Sequence, residues 1–235
     1  MGQKLGIDRL AFYAKACGLG TATGINLDGE AEGLIPTSAW KKRRTGISWQ
    51  GGETLSVAIG QGYNLSTPLQ MLVLTSALAN GGTRYKPLIL KSVKTADGDI
   101  VIQNKRQVMG RLPASKKTLA IVKKGLREVV NSPKGTARIA NIKGIDISGK
   151  TGTAQVVGRH NEPNLSEKDM PKQFKAHAWF VSYAPSVDPK IAVAVFVEHG
   201  GHGSTAAAPI AREIIRTYLE TDEYGRQLKA EISKQ

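Results

Sequence analysis

The sequence predicts an α+β fold with helices first, an antiparallel sheet late and a closing helix. Three observations carry that expectation. Apolar residues recur at helical spacing through the first half of the chain. The period then changes to two over Ile145–Val157, Ala178–Ala184 and Ile191–Val197. A helical stripe returns from Pro209 to about Glu220, after a glycine-rich turn at Gly200–Gly203.

Taken in order, the first helix is expected to start at Asp8 as N-cap. Leu10, Tyr13, Ala14 and Cys17 would share one face, and Gly18 and Gly20 would end it. Residues 21–36 are glycine-rich and extended up to Pro36. Thr37 is placed to cap a short helix running through Trp40 into the basic cluster Lys41-Lys-Arg-Arg44. Gly46 to Gly52 reads as loop, and Thr54–Ile59 as a short strand or an extended approach to a turn.

The next helix has the clearest signature. Thr67 as N-cap, Pro68 at the first helical position and Gln70 two later form a capping-box start. Leu69, Leu72, Val73 and Ser76 make its stripe, and Gly81-Gly82 stops it. Leu88–Thr95 and Asp99–Gln103 alternate around Asp-Gly as a peripheral hairpin. A second long helix is expected from Ser115 to Val130, with Leu119, Val122, Leu126, Val129 and Val130 inward and Ser132-Pro133 ending it. A short Pro- and Asp-containing turn at Pro185–Pro189 joins the last two strands, and a polar loop, 158–176, separates the first two. This gives a mainly helical part over 1–140, a sheet with a C-terminal helix over 141–220, and a tail over 221–235.

Composition bounds the function. With 235 residues, 40% of them hydrophobic and 22% charged, the chain can bury a sizeable core and is not of disordered composition. No apolar run approaches the roughly 18–20 residues that a membrane-spanning helix needs, and "MGQKLGIDRL" lacks the apolar centre of a signal peptide. Cys17 is the only cysteine, so an intrachain disulfide is excluded, and its place on a helix face reads as a buried structural thiol. The net charge of +14 would draw polyanions. Its clusters, including Lys116-Lys117 and Lys123-Lys124, lack any RNA-binding aromatic signature or zinc finger and read as solvated faces. Glu198, His199 and His202 lie close in sequence but without a third strong ligand; surface histidines are the plainer reading, with His160 and His177 remote.

The chemistry concentrates in Gly149-Lys-Thr-Gly-Thr-Ala-Gln-Val156. On a strand Lys150 and Gly152 share one face while Thr151 and Thr153 lean to the other. Lys150 would supply a fixed positive charge beside a reacting hydroxyl and a substrate carboxylate. Gly152 removes a side chain so that an extended peptide can lie against the strand. The Thr153 backbone N–H could help hold a developing oxyanion. Nothing in this segment can itself attack a carbonyl. Ser38-Ala-Trp-Lys41 matches Ser-x-x-Lys literally, but no Ser-x-Asn lies between Lys41 and Lys150, and it reads as a chance match.

"GKTGTAQV", with "VAIGQGYNLSTPLQM" upstream and "AWFVSYAP" then "IAVAVFVEHGG" downstream, resembles the C-terminal part of the transpeptidase domain of class B penicillin-binding proteins. "TGINLDGEAEGLIPTSAWK" and "GQGYNLSTPLQ" look most like the elongation-type penicillin-binding protein 2 branch. The likeness runs from about Gly6 to Tyr218 in the family's order. It implies a β-lactamase/transpeptidase-like fold whose N-terminal strands and Ser-x-x-Lys helix precede this piece. It also implies a serine that attacks the D-Ala-D-Ala bond of a peptidoglycan stem peptide, forming an acyl-enzyme that an amine from a neighbouring stem resolves. β-Lactams would acylate the same serine. Lys150 would be catalytic, Thr151, Gly152 and Thr153 would bind substrate, and no metal or cofactor would be needed.

The resemblance further implies a periplasmic catalytic domain with an inner-membrane anchor outside this sequence, and a shape-elongation glycosyltransferase as partner rather than nucleic acid. It also leaves Ile191–Val197 without the neighbour strand that the family supplies, an aggregation hazard for this piece alone. Gln155 and the 158–176 loop would flank the cleft. Two other readings stay open on the residues alone: a non-catalytic module of the same fold that binds wall peptides or a partner protein, and a basic adaptor for an anionic polymer.

Overall fold

The computed structural model describes residues 1–156 and 171–221. It divides into two compact units, Met1–Ser115 and the segment from Lys116 onward. The division falls earlier than residue 140 because α6 (Lys116–Asn131) packs against the first strand of the sheet.

The first unit begins with α1 (Gly2–Leu5) and α2 (Ile7–Ala16). Asp8 does not cap α2. Gly6 is the N-cap, and Asp8 sits in the first turn. Its carboxylate instead accepts from the N–H and the hydroxyl of Ser38, at 2.9 and 2.7 Å, at the start of α3 (Ser38–Thr45). The buried face of α2 is Ile7 and Ala11, so Tyr13, expected inward, is exposed. Cys17 is half-buried just past the helix, and burial pushes its thiol pKa up against the lowering effect of Arg84. Thr37 caps α3 as expected: its hydroxyl accepts from the Trp40 N–H at 3.0 Å. Gly46, at φ 72°, closes that helix in the left-handed conformation that glycine adopts without steric cost.

The expected strand at Thr54–Ile59 is a helix, α4 (Gly51–Ala58). The reason is its start, where the Glu53 carboxylate accepts the Gln50 N–H at 2.7 Å and stabilises a helical turn over a weak alternation. The capping box of α5 (Pro68–Ala79) forms as the sequence predicts. Its most buried positions, however, are Gln70, Thr75, Ala77 and Ala79 rather than the leucine stripe. Gln70 is buried because its carboxamide donates to the Thr21 and Glu32 carbonyls, at 2.7 and 2.8 Å, and pins the extended 21–36 segment.

Four short strands follow: β1 (Thr83–Tyr85), β2 (Ser92–Lys94), β3 (Ile100–Gln103) and β4 (Val108–Arg111). The β2–β3 hairpin is peripheral, as its alternation suggests, with Ile100, Val101 and Ile102 exposed. The β1–β4 pair around it carries no periodic signal of its own.

Among its described residues the second unit holds a three-stranded antiparallel sheet of β5 (Ser148–Ala154), β6 (His177–Ala184) and β7 (Ile191–Val197), in the order β5-β6-β7; β5 starts later than the expected Ile145, which bridges back to Ile142. A 3-10 turn at Arg138–Ala140 precedes it, and a π-helical turn at Gly203–Ala207 leads into α7 (Ala208–Thr221). The core joins Phe180, Val193 and Val195 of the sheet to Ala208, Ala211 and Ile215 of α7 and to Val130 of α6. Along α6 the inward stripe is Leu119, Leu126, Val129 and Val130; Val122, expected inward, lies on the flank at 40% exposure. Most of the polar 158–176 loop, and all of the 221–235 tail after Thr221, lie outside the described residues.

Candidate active site

The Lys-Thr-Gly segment occupies the middle of β5, and its register against β6 is unbroken: Lys150 faces Val181, Thr151 faces Phe180, Gly152 faces Trp179 and Thr153 faces Ala178. Regular pairing keeps the alternation of faces. Thr151 and Thr153 therefore share the face of Phe180 and Ala178, both buried in the core. Lys150 and Gly152 lie on the opposite face, with Val181 and Trp179. β5 stands at one end of the strand order, so one of its edges has no strand partner among the described residues.

The Lys150 side chain is exposed, and its Nζ donates to the Thr151 carbonyl at 2.6 Å, with the Thr151 hydroxyl at 3.5 Å. The ammonium is thus held along the rim of the strand, beside the first threonine. At Gly152 a Cβ would come within 3.1 Å of the Trp179 Cβ. Any side chain there would press on Trp179 and stand over the strand's open face.

Two features beside this segment escaped sequence reasoning. Gly203, at the start of the π-helical turn, approaches so closely that a Cβ would fall 2.1 Å from the Trp179 carbonyl oxygen and 2.6 Å from that of Gly152. The turn into α7 is therefore clamped over the backbone of the Lys-Thr-Gly segment. The only available signal was the run of glycines at 200–203. The second feature is an aromatic row on the Lys150 face: Trp179 and Phe196 lie 4.7 Å apart between ring centroids, and His177 and Phe196 5.1 Å. Strand alternation could have placed these rings on one side.

His177 and His199 are not scattered surface groups, whereas His202 is exposed and His160 lies outside the described residues. His177 and His199, remote in sequence, have ring centroids 4.8 Å apart. The His199 N–H donates to His177 Nδ1 at 3.0 Å, and His199 Nδ1 lies 3.1 Å from the Lys175 carbonyl oxygen. These contacts tie the end of β7 to the start of β6. Among the described residues no three His, Cys, Asp or Glu side chains are grouped to hold a metal ion.

Ser38 and Lys41, which match Ser-x-x-Lys, are engaged in separate structural contacts. Ser38 donates to Asp8, while Lys41 Nζ is buried against the Glu53 carboxylate at 2.5 and 2.6 Å and the Ser48 carbonyl at 3.3 Å.

The family model described as penicillin binding protein transpeptidase domain matches residues 1–216. This chain belongs to the penicillin-binding protein transpeptidase family. Within the family its kinship is with the penicillin-binding protein 2 type. It is 37% identical over 218 residues to the peptidoglycan D,D-transpeptidase MrdA of Haemophilus influenzae, covering 92% of this chain and 33% of that protein. The chain thus spans about a third of the length of that curated relative. Penicillin-binding protein 2 from Helicobacter pylori, solved in complex with MreC, superposes with a TM-score of 0.78 at 32% identity, over 93% of this chain and 37% of that one. The Pseudomonas aeruginosa penicillin-binding protein 2, in complex with WCK 5153, gives 0.76 at 36% identity over 95% and 46%. The mixed helix and antiparallel-sheet architecture is accordingly the transpeptidase-like fold. No helix among the described residues is long and apolar enough to cross a membrane.

Proposed function

We propose that this chain forms the Lys-Thr-Gly wall of a peptidoglycan D,D-transpeptidase active site. In this reading the attacking serine is carried by polypeptide outside the sequence. The observation that carries it is the edge position of β5, with Lys150 and Gly152 on one face beside a strand edge that has no strand partner among the described residues. A stem peptide ending in D-Ala-D-Ala is an extended chain, and an open edge offers it main-chain hydrogen bonds while Gly152 leaves room for close approach. Kinship with D,D-transpeptidases supports the choice of substrate class.

In the mechanism the serine attacks the carbonyl of the penultimate D-Ala, an acyl-enzyme forms and D-Ala leaves. An amine from a second stem peptide then takes the acyl group and regenerates the serine. Lys150 fixes positive charge near the reacting hydroxyl and the terminal carboxylate, Thr151 and Thr153 reach that carboxylate around the rim of β5, where the Thr151 hydroxyl lies 3.5 Å from Lys150 Nζ, and the Thr153 N–H contributes one oxyanion donor. Loss of a single such donor costs about 3–4 kcal/mol of transition-state stabilisation. β-Lactams enter the same route as acylating analogues. The complete protein would be anchored in the inner membrane with this part periplasmic. It would work beside a shape-elongation glycosyltransferase, a setting in keeping with the complex of the Helicobacter pylori relative with MreC.

The test is covalent labelling of the complete protein by a fluorescent penicillin. Lys150→Ala and Gly152→Trp are each expected to abolish labelling; wild-type labelling by either would overturn the assignment.

A further inference from the structure

We propose that a cavity between the end of α6, the Arg138–Ala140 turn and α7 binds a small oxyanion, a carboxylate or a phosphate group. The cavity measures about 390 Å³ and is lined by Val130, Asn131, Arg138, Ile139, Asn141 and Arg212. Its volume falls within the roughly 300–1,000 Å³ usual for small-ligand sites. Lys150 is not among the lining residues, so this site is independent of the acyl-transfer reading.

The charge of the lining is one-sided. It holds two guanidiniums and no carboxylate, and neither Arg138 nor Arg212 forms an ion pair among the described residues. Arg138 donates to the Pro133 carbonyl over 3.4 Å, while the Arg212 Nε is buried with no hydrogen-bond partner among the described residues. Two like charges in one concavity repel each other and raise the local potential for an anion. A buried N–H without an acceptor carries a desolvation penalty that a small shift towards an anion would relieve.

The Glu128 and Val129 carbonyls in the last turn of α6 are met by the backbone N–H groups of Ser132 and Ala137, at 3.0 and 2.9 Å, so neither arginine is needed there. Asn131 Nδ2 donates to the Arg127 carbonyl at 2.8 Å and to that of Ile147 at 2.7 Å. Asn141 Nδ2 donates in turn to Asn131 Oδ1 at 3.0 Å, so the carboxamide wall is fixed. A rigid polar wall facing two guanidinium forks suits an oxyanion, because each fork can grip two oxygens of a carboxylate or phosphate at once.

The experiment is isothermal titration of the complete natural polypeptide with sodium phosphate and, separately, with sodium succinate, at ionic strength held constant with chloride. Saturable binding of at least one probe is expected, and the stronger of the two tells a phosphate source from a carboxylate source. Arg138→Gln, at an exposed position, should weaken that binding about fivefold or more. Arg212→Lys, which keeps the charge but loses the fork, should weaken it as well. Heats no different from chloride, or saturable binding unchanged by Arg138→Gln, would overturn the proposal. Penicillin labelling of the Arg138→Gln variant should match wild type, which separates failure here from failure of the transpeptidase reading.

Discussion

At the scale of single residues, the first unit is organised by one buried cation. Lys41 is only 4% exposed and meets the Glu53 carboxylate, which also accepts the Gln50 N–H. Removing one partner of such a pair leaves a buried charge unmet. Glu53→Gln should therefore destabilise the chain by about 3 kcal/mol, near the lower end for buried pairs because Glu53 is partly exposed. Chemical denaturation would measure it. The hydrogen bond from Lys41, followed by that from Gln50, holds the Glu53 carboxyl below its ordinary pKa. A carboxyl lowered on folding stabilises fully above its unfolded value of about 4.3 and loses that contribution as pH falls through the folded value. Acid titration of stability should accordingly be shallower in Glu53→Gln than in wild type below that unfolded value; identical profiles would refute the linkage.

Among the elements, α5 and β5 make opposite demands on their residues. The Thr67 hydroxyl satisfies only the Gln70 N–H, so Thr67→Ala should cost about 1 kcal/mol. Gln70→Ala removes a buried carboxamide and leaves the Thr21 and Glu32 carbonyls without their donor, and should cost about 2 kcal/mol or more. An equal loss from both would show that pinning the 21–36 segment contributes nothing. Gly203 and Gly125 form a second contrast. A Cβ at Gly203 collides with the backbones of β5 and β6, so Gly203→Ala should lower the melting temperature and reduce penicillin labelling of the complete protein. Gly125 sits within α6 with open space at its Cβ position, so Gly125→Ala should stabilise by about 0.5–1 kcal/mol through helix propensity.

For the molecule as a whole, the net charge of +14 is a property of the surface rather than of any one motif. It predicts weak association with any polyanion, without sequence preference and lost as salt rises. Fluorescence anisotropy of a labelled oligonucleotide at low and at physiological salt would measure it. Tight binding that persists at physiological salt and prefers one sequence would favour the adaptor reading over the enzyme. The two compact units were only partly legible. Nothing in the local pattern announces that α6 belongs with the sheet, because that depends on which helix covers β5.

The sequence by itself determined the helix starts at Thr37 and Thr67, the three strands of the sheet, the closing helix and the family. Capping hydroxyls, proline at the first helical position and period-two alternation act over a few residues, so they can be read locally. Only the tertiary structure decided that Thr54–Ile59 is helical, that Asp8 serves α3 rather than its own helix, and that Lys41 is buried. The clamp of Gly203 on Gly152, the pairing of His177 with His199 and the meeting of Arg138 with Arg212 are of the same kind. Each joins residues distant along the chain, and their energies come from burial and hydrogen bonds that exist only once the segments are packed.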